Sequence, residues 1–150
     1  MPLRGRRVVE LGCGLAVPSI VAARAGAAVL ATDSSAEALT LVERNAAEND
    51  LHFETAVVNW EEPEKLVQRA PFDLVLAADV LYERASVAPL LSLLPRLSRE
   101  AWLADPGRSA ADAFLAQAAR RWSVETRARG VVRIHRLDLW GSQTKVSRRP

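Results

Sequence analysis

Apolar and polar positions fall into short alternating blocks along this chain. Val8, Val9 and Leu11 form an apolar run of strand length that ends in Gly12-Cys13-Gly14. Such a run predicts a strand covered on both faces, followed by a glycine turn. A helix follows from about Val17 to Ala25, with Pro18 in its first turn and Gly26 closing it. Ala27 to Thr32 is a second strand that stops at Asp33. Ser34 with Glu37 matches a capping box, and Leu39, Val42 and Ala46 continue at helical spacing to Asn49-Asp50. Phe53 to Val58 predicts a third strand ending at Asn59-Trp60, and Glu61 to Arg69 a short polar helix with Pro63 near its start. Phe72 to Asp79 is a fourth strand, and Val87 to Leu97 a leucine-rich helix that Pro95 bends or ends. Ala101 to Ala104 is a fifth strand, closed by Asp105-Pro106-Gly107-Arg108. Ser109 with Asp112 is expected to cap a helix that carries Phe114, Leu115 and Ala118. Trp122 to Arg129 and Val131 to Trp140 flank Gly130 and predict an antiparallel pair at a sheet edge. Strand and helix alternate five times before this hairpin. The pattern implies an α/β fold, a doubly wound and mostly parallel sheet with helices on both faces.

Composition narrows the classes. The chain has 150 residues, the length of one domain with a substantial core, and residues 1–150 are read as a single domain. Its net charge is only +2 and its aromatic residues are few, so a basic, aromatic-laced surface for nucleic acid is not expected. The basic Lys145 to Pro150 reads as a frayed tail. Cys13 is the single cysteine, which excludes an internal disulfide and a cysteine-rich zinc site. His52 and His135 form no catalytic pattern with it. Without a signal peptide or an apolar run of membrane length, the chain reads as cytoplasmic, with no membrane partner. Nothing in the sequence bears on the oligomeric state.

Candidate chemistry gathers at the carboxyl ends of the predicted strands, where open α/β sheets bind ligands. A dinucleotide turn needs a third glycine and free helix amides for its pyrophosphate. Here Val17 holds the third position and Pro18 removes an amide, which argues against a nicotinamide dinucleotide. Glu10 ahead of the turn prefers a cationic ligand without phosphate, and S-adenosylmethionine (SAM) meets both conditions. Asp33 stands where an acid bonds ribose hydroxyls, or else only starts the next helix. Asn59 can bond an adenine edge, and Trp60 either lies against the ring or is a plain core aromatic. Asp79 is either a helix cap or a group facing the reaction, with Tyr82 three residues on and returning to the same side. Arg108 is either a contact for a substrate carboxylate or phosphate, or an exposed loop arginine.

Val9-Glu10-Leu11-Gly12-Cys13-Gly14, Ala31-Thr32-Asp33 and Asp73 to Tyr82 resemble the seven-strand class I SAM-dependent methyltransferases. Asp79-Val80-Leu81-Tyr82 looks like the Asp-x-x-Tyr motif of the methyltransferase-like protein-lysine methyltransferases. Ala104 to Arg108 and Leu139-Trp140-Gly141 look most like the branch acting on the electron-transfer flavoprotein β-subunit, with relatives described as nicotinamide N-methyltransferase-like. The resemblance implies a Rossmann-like sheet of seven strands. It implies that Glu10, Gly12 and Gly14 hold the methionine part of SAM, that Asp33 holds the ribose and that Asn59 and Trp60 flank the adenine. Cys13, Ser34 and Ala78 stand beside these and complete the expected cofactor-binding set. Asp79 and Tyr82 would border the acceptor pocket, with Arg108 as a substrate contact and no metal.

The expected activity is in-line methyl transfer to a neutral amine, with a protein lysine as acceptor. A small amine or heteroaromatic acceptor is the near alternative, and a non-catalytic binding domain the more distant one. Two departures from the family stand out. Ala16 replaces a third glycine. The family's N-terminal segment, which covers SAM, is expected to be missing, because the first strand begins only a few residues in.

Overall fold

Strand residues with no exposure at all define the centre of the molecule. Val8, Val9 and Val75 are 0% exposed, because strands at the middle of a parallel sheet are covered on both faces. The computed structural model describes residues 2–140. The basic run from Lys145 and Gly141 of the closing motif lie outside the described residues. The elements are β1 (Arg7–Leu11), α1 (Val17–Arg24), β2 (Ala28–Asp33), α2 (Ala36–Glu48), β3 (Glu54–Val57) and α3 (Glu64–Val67). They continue as β4 (Leu74–Ala78), α4 (Val87–Leu97), β5 (Glu100–Asp105), α5 (Ser109–Ala118), β6 (Trp122–Arg129) and β7 (Val132–Leu139).

One seven-stranded sheet runs in the order β3-β2-β1-β4-β5-β7-β6. β1 to β5 are parallel, and β7 is antiparallel to both β5 and β6. This is the Rossmann-like sheet with its terminal hairpin that the alternation predicts. The chain winds outward from β1 to β3, then returns to lay β4 on the other side of β1. Glu10 pairs with Ala31 on one side and Leu76 on the other, so the carboxyl ends of β1, β2 and β4 lie level around this switch point. Among the described residues no helix is long and apolar enough to cross a membrane.

Alternate strand residues serve the two faces. Val9, Leu30 and Val75 join the main core with the buried faces of α4 and α5. Val8, Val29 and Leu74 pack with Ala22 of α1 on the opposite face. Helix α4 buries Val87, Leu90, Leu93, Leu94 and Leu97, one stripe at helical spacing. Each such burial is worth about 2 kcal/mol. That stripe explains why Pro95 does not end the helix: Leu94 and Leu97 on either side are both buried in the core, and this outweighs one missing backbone bond.

Two caps differ from expectation. Ser35, not Ser34, caps α2, and its Oγ accepts the Ala38 N–H at 3.1 Å. The cause is Asp33, whose Oδ1 accepts the Ser35 N–H at 3.0 Å and keeps Ser34 outside the helix. Ser109 is likewise the first residue of α5 rather than its cap, and Asp112 instead pairs with Arg133 at 2.8 Å. The α3 helix is shorter than predicted because it starts only after Pro63.

Candidate cofactor and active site

The turn after β1 has three left-handed residues, Gly12 (φ +59°), Gly14 (φ +50°) and Ala16 (φ +57°). The two glycines meet different needs. A Cβ on Gly12 would lie 3.0 Å from Val80 Cγ1 and 3.2 Å from Trp60 Cζ2, so this glycine lets two side chains close on the turn. A Cβ on Gly14 would meet nothing within 4 Å, so bare backbone faces open space there. Ala16 bears the same backbone strain as an alanine, fully buried, and its carbonyl accepts the Ile20 N–H to start α1.

Beside this turn lies a cavity of about 430 Å³. Gly12, Gly14, Asp33 and Ser34 line one side, from the ends of β1 and β2. Asn59 and Trp60 line it from the loop after β3, and Asp79 and Tyr82 from the loop after β4. Eight residues predicted from sequence thus share one space. Glu10, Cys13, Ala78 and Arg108 are not among its lining residues.

Each exception has a local cause. Glu10 is 1% exposed and points into the face covered by α1. Its Oε2 accepts the Ser19 N–H at 2.9 Å and the Ser19 hydroxyl at 2.5 Å. Glu10 therefore satisfies an orphan amide in the first turn of α1, beneath the glycine turn. Burial pushes its carboxyl up to about 7; the bonds from Ser19 pull it down in part, and Asp33 adds to the rise. Cys13 is buried, and burial, with Glu10 and Asp33 nearby, pushes its thiol up to about 12. Such a thiol is no nucleophile at neutral pH. Ala78 is half-buried and pairs with Ala104 across β4 and β5.

Asp33 ties two elements together. Its Oδ2 accepts the Gly14 N–H at 3.0 Å while its Oδ1 accepts the Ser35 N–H. Each oxygen keeps acceptor capacity toward the cavity. Asn59 Oδ1 accepts the Glu61 N–H at 3.0 Å, which fixes the amide at the rim. Trp60 is half-buried, packs against the main core and also lines the cavity.

At the far side, Asp79 takes a left-handed backbone with φ +54°. Arg108 grips its carboxylate through Nε at 2.6 Å and Nη2 at 2.8 Å. Those Arg108 nitrogens are therefore engaged within the protein rather than presented to an anionic substrate, because a guanidinium fork matches a carboxylate. The Arg108 bonds hold the Asp79 carboxyl below the usual carboxylate range, so it is ionised at neutral pH. Tyr82 is 63% exposed beside it.

Sequence reasoning placed Asp105 only in the turn after the fifth strand and gave His135 no part in the site. Asp105 is 3% exposed at the end of β5, and His135 is 1% exposed in β7. His135 Nε2 lies 2.6 Å from Asp105 Oδ2. One signal was available: His135 shares the inward phase of β7 with the fully buried Leu137.

Residues 2–104 match the lysine methyltransferase family. The protein N-lysine methyltransferase METTL21A of Danio rerio is 36% identical over 101 residues, covering 64% of this chain and 46% of that protein. The human histone-arginine methyltransferase METTL23 is 30% identical over 96 residues, 61% of this chain and 50% of that protein. The chain thus spans about half the length of the curated relatives it matches. Among solved structures, a ribosomal protein L11 methylase from Lactobacillus delbrueckii subsp. bulgaricus superposes with a TM-score of 0.72 at 22% identity, over 91% of this chain and 71% of that one. The magnesium protoporphyrin IX methyltransferase of Synechocystis PCC 6803, solved with bound SAM, gives 0.71 at 21% identity, with the same shares covered.

Proposed function

Because the chain belongs to the lysine methyltransferase family, we propose that it is a SAM-dependent N-methyltransferase whose acceptor is a protein lysine side chain. The observation that carries this reading is the shared cavity: open backbone at Gly14 and the Asp33 carboxylate on one side, ionised Asp79 with Tyr82 on the other. The site fits SAM chemically. Gly14 leaves room at the main chain, Asp33 has acceptors for ribose hydroxyls, and Trp60 offers an aromatic face to a base. When bound, SAM supplies an electrophilic methyl group.

This chain's residues do the rest. A lysine amine is protonated near neutral pH and must lose its proton to become a nucleophile. Asp79 attracts the ammonium and accepts a hydrogen bond from it, which aims the nitrogen. Its depressed pKa makes it a weak base, so the proton passes to water at this half-exposed carboxylate. Tyr82 lines the approach beside it. Positioning supplies most of the acceleration.

One observation favours an arginine acceptor as the second reading. The human relative, 30% identical over 96 residues, is described as a histone-arginine methyltransferase. Two measurements test these readings. Titration calorimetry with SAM should give saturable binding that Asp33→Ala weakens about tenfold, the loss of one good hydrogen bond. No binding, or equal affinity in the variant, overturns the cofactor assignment. Methyl transfer to poly-L-lysine but not poly-L-arginine supports lysine, and the opposite preference supports arginine. Asp79→Ala should abolish transfer with SAM binding kept.

A further inference from the structure

We infer that Asp105 and His135 are positioning residues that fix the direction of the Asp79 carboxylate through Arg108. The inference rests on the proposed role of Asp79 at the acceptor side of the cavity. Asp105 Oδ1 accepts the Gly107 N–H at 2.6 Å, the Arg108 N–H at 3.0 Å and Arg133 Nη2 at 2.9 Å. Its Oδ2 faces His135 Nε2 at 2.6 Å, and His135 Nδ1 lies 2.8 Å from Thr126 Oγ1. One buried carboxylate thus joins the turn after β5 to both strands of the hairpin.

Two features turn that junction into a positioning device. The backbone of Arg108 is held at its own N–H, so the reach of its guanidinium toward Asp79 is set from below. Asp79 is itself left-handed and half-exposed, so its carboxylate direction depends on what grips it. Pairing of β5 with β7 does not need this network. The backbone register from Glu100 to Asp105 already joins them. A buried ionic group contributes little net stability compared with an apolar pair of the same size. Its distinctive effect here is to hold polar atoms in fixed places.

The test uses the full chain without added cofactor and follows the Arg108 Nε–H signal by 15N NMR, assigned with Arg108→Lys. In the wild type this proton should exchange slowly with water. In folded Asp105→Ala it should exchange about tenfold faster, the factor for one lost hydrogen bond. Asp105→Asn keeps an oxygen for both amides and should restore slow exchange. Wild-type exchange in Asp105→Ala, or an Asn variant as fast as the Ala variant, overturns the inference. Should Asp105→Ala not fold, His135→Gln is measured; faster Arg108 exchange supports the inference and unchanged exchange overturns it. SAM calorimetry on the wild-type sample separates the two readings. Loss of SAM binding with the Arg108 result intact would sink the proposed function alone.

Discussion

Glu10 shows how one buried carboxyl can set a pH dependence for the whole chain. It ionises near 4.5 when exposed and near about 7 in the fold, chiefly because burial disfavours its charge. The folded pKa is raised, so folding favours the protonated form. Its stabilising contribution is complete below about pH 4.5 and is lost as pH rises through about 7, a change of about 3 kcal/mol. Glu10→Gln keeps an acceptor for Ser19 and removes the charge. Urea unfolding from about pH 5 to about pH 8 should show wild-type stability falling and the variant's nearly level, so that the variant is the more stable at the alkaline end. A wild-type profile no steeper than the variant's would refute this account. The residue type was legible in the sequence, since an acid before a glycine turn suggests a cationic ligand. Its direction was not. Glu10 shares a strand face with Val8, and that phase takes it under α1, away from the cavity.

Among the elements, α2 carries the sharpest contrast between two adjacent serines. Ser35 Oγ accepts the Ala38 N–H, while exposed Ser34 lines the cavity. Ser35→Ala should cost about 1 kcal/mol of stability and lower the thermal midpoint by a few degrees. Ser34→Ala should leave the midpoint unchanged, and equal effects in thermal melts would contradict the assigned cap. The strands themselves were readable because buried parallel strands are nearly continuous apolar runs, as in Leu74 to Ala78. The cap was off by one because the deciding bond comes from Asp33, a residue outside the capping pattern. Of the two effects expected of Pro95, bending or ending the helix, it does not bring the end: α4 runs on to Leu97, because Leu94 and Leu97 pack in the core.

On the scale of the whole molecule, the hairpin is part of the main core rather than an appendage. Trp122 of β6 is 2% exposed and Leu137 of β7 is 0% exposed, and both belong to the cluster built on α4 and α5. Trp122→Ala should therefore cost about 3–5 kcal/mol, a large part of a typical domain's stability. Circular dichroism and tyrosine fluorescence should still report one coincident transition at a lower midpoint; two separate transitions would mean that the hairpin folds apart from the rest. Chain order and helix spacing made the topology legible. The contact of Asp105 with His135 was not, because thirty residues and an antiparallel return separate them in sequence.

Among the described residues, the sheet order also leaves β6 with a strand neighbour on one side only. Its eight residues form a long open edge, a template onto which another unfolded or extended chain could add. Glu125, Arg127 and Arg129 stand exposed along one face of that edge. An incoming strand must bring its own side chains against this row of charges. Charges placed along an edge in this way disfavour the addition of a further strand.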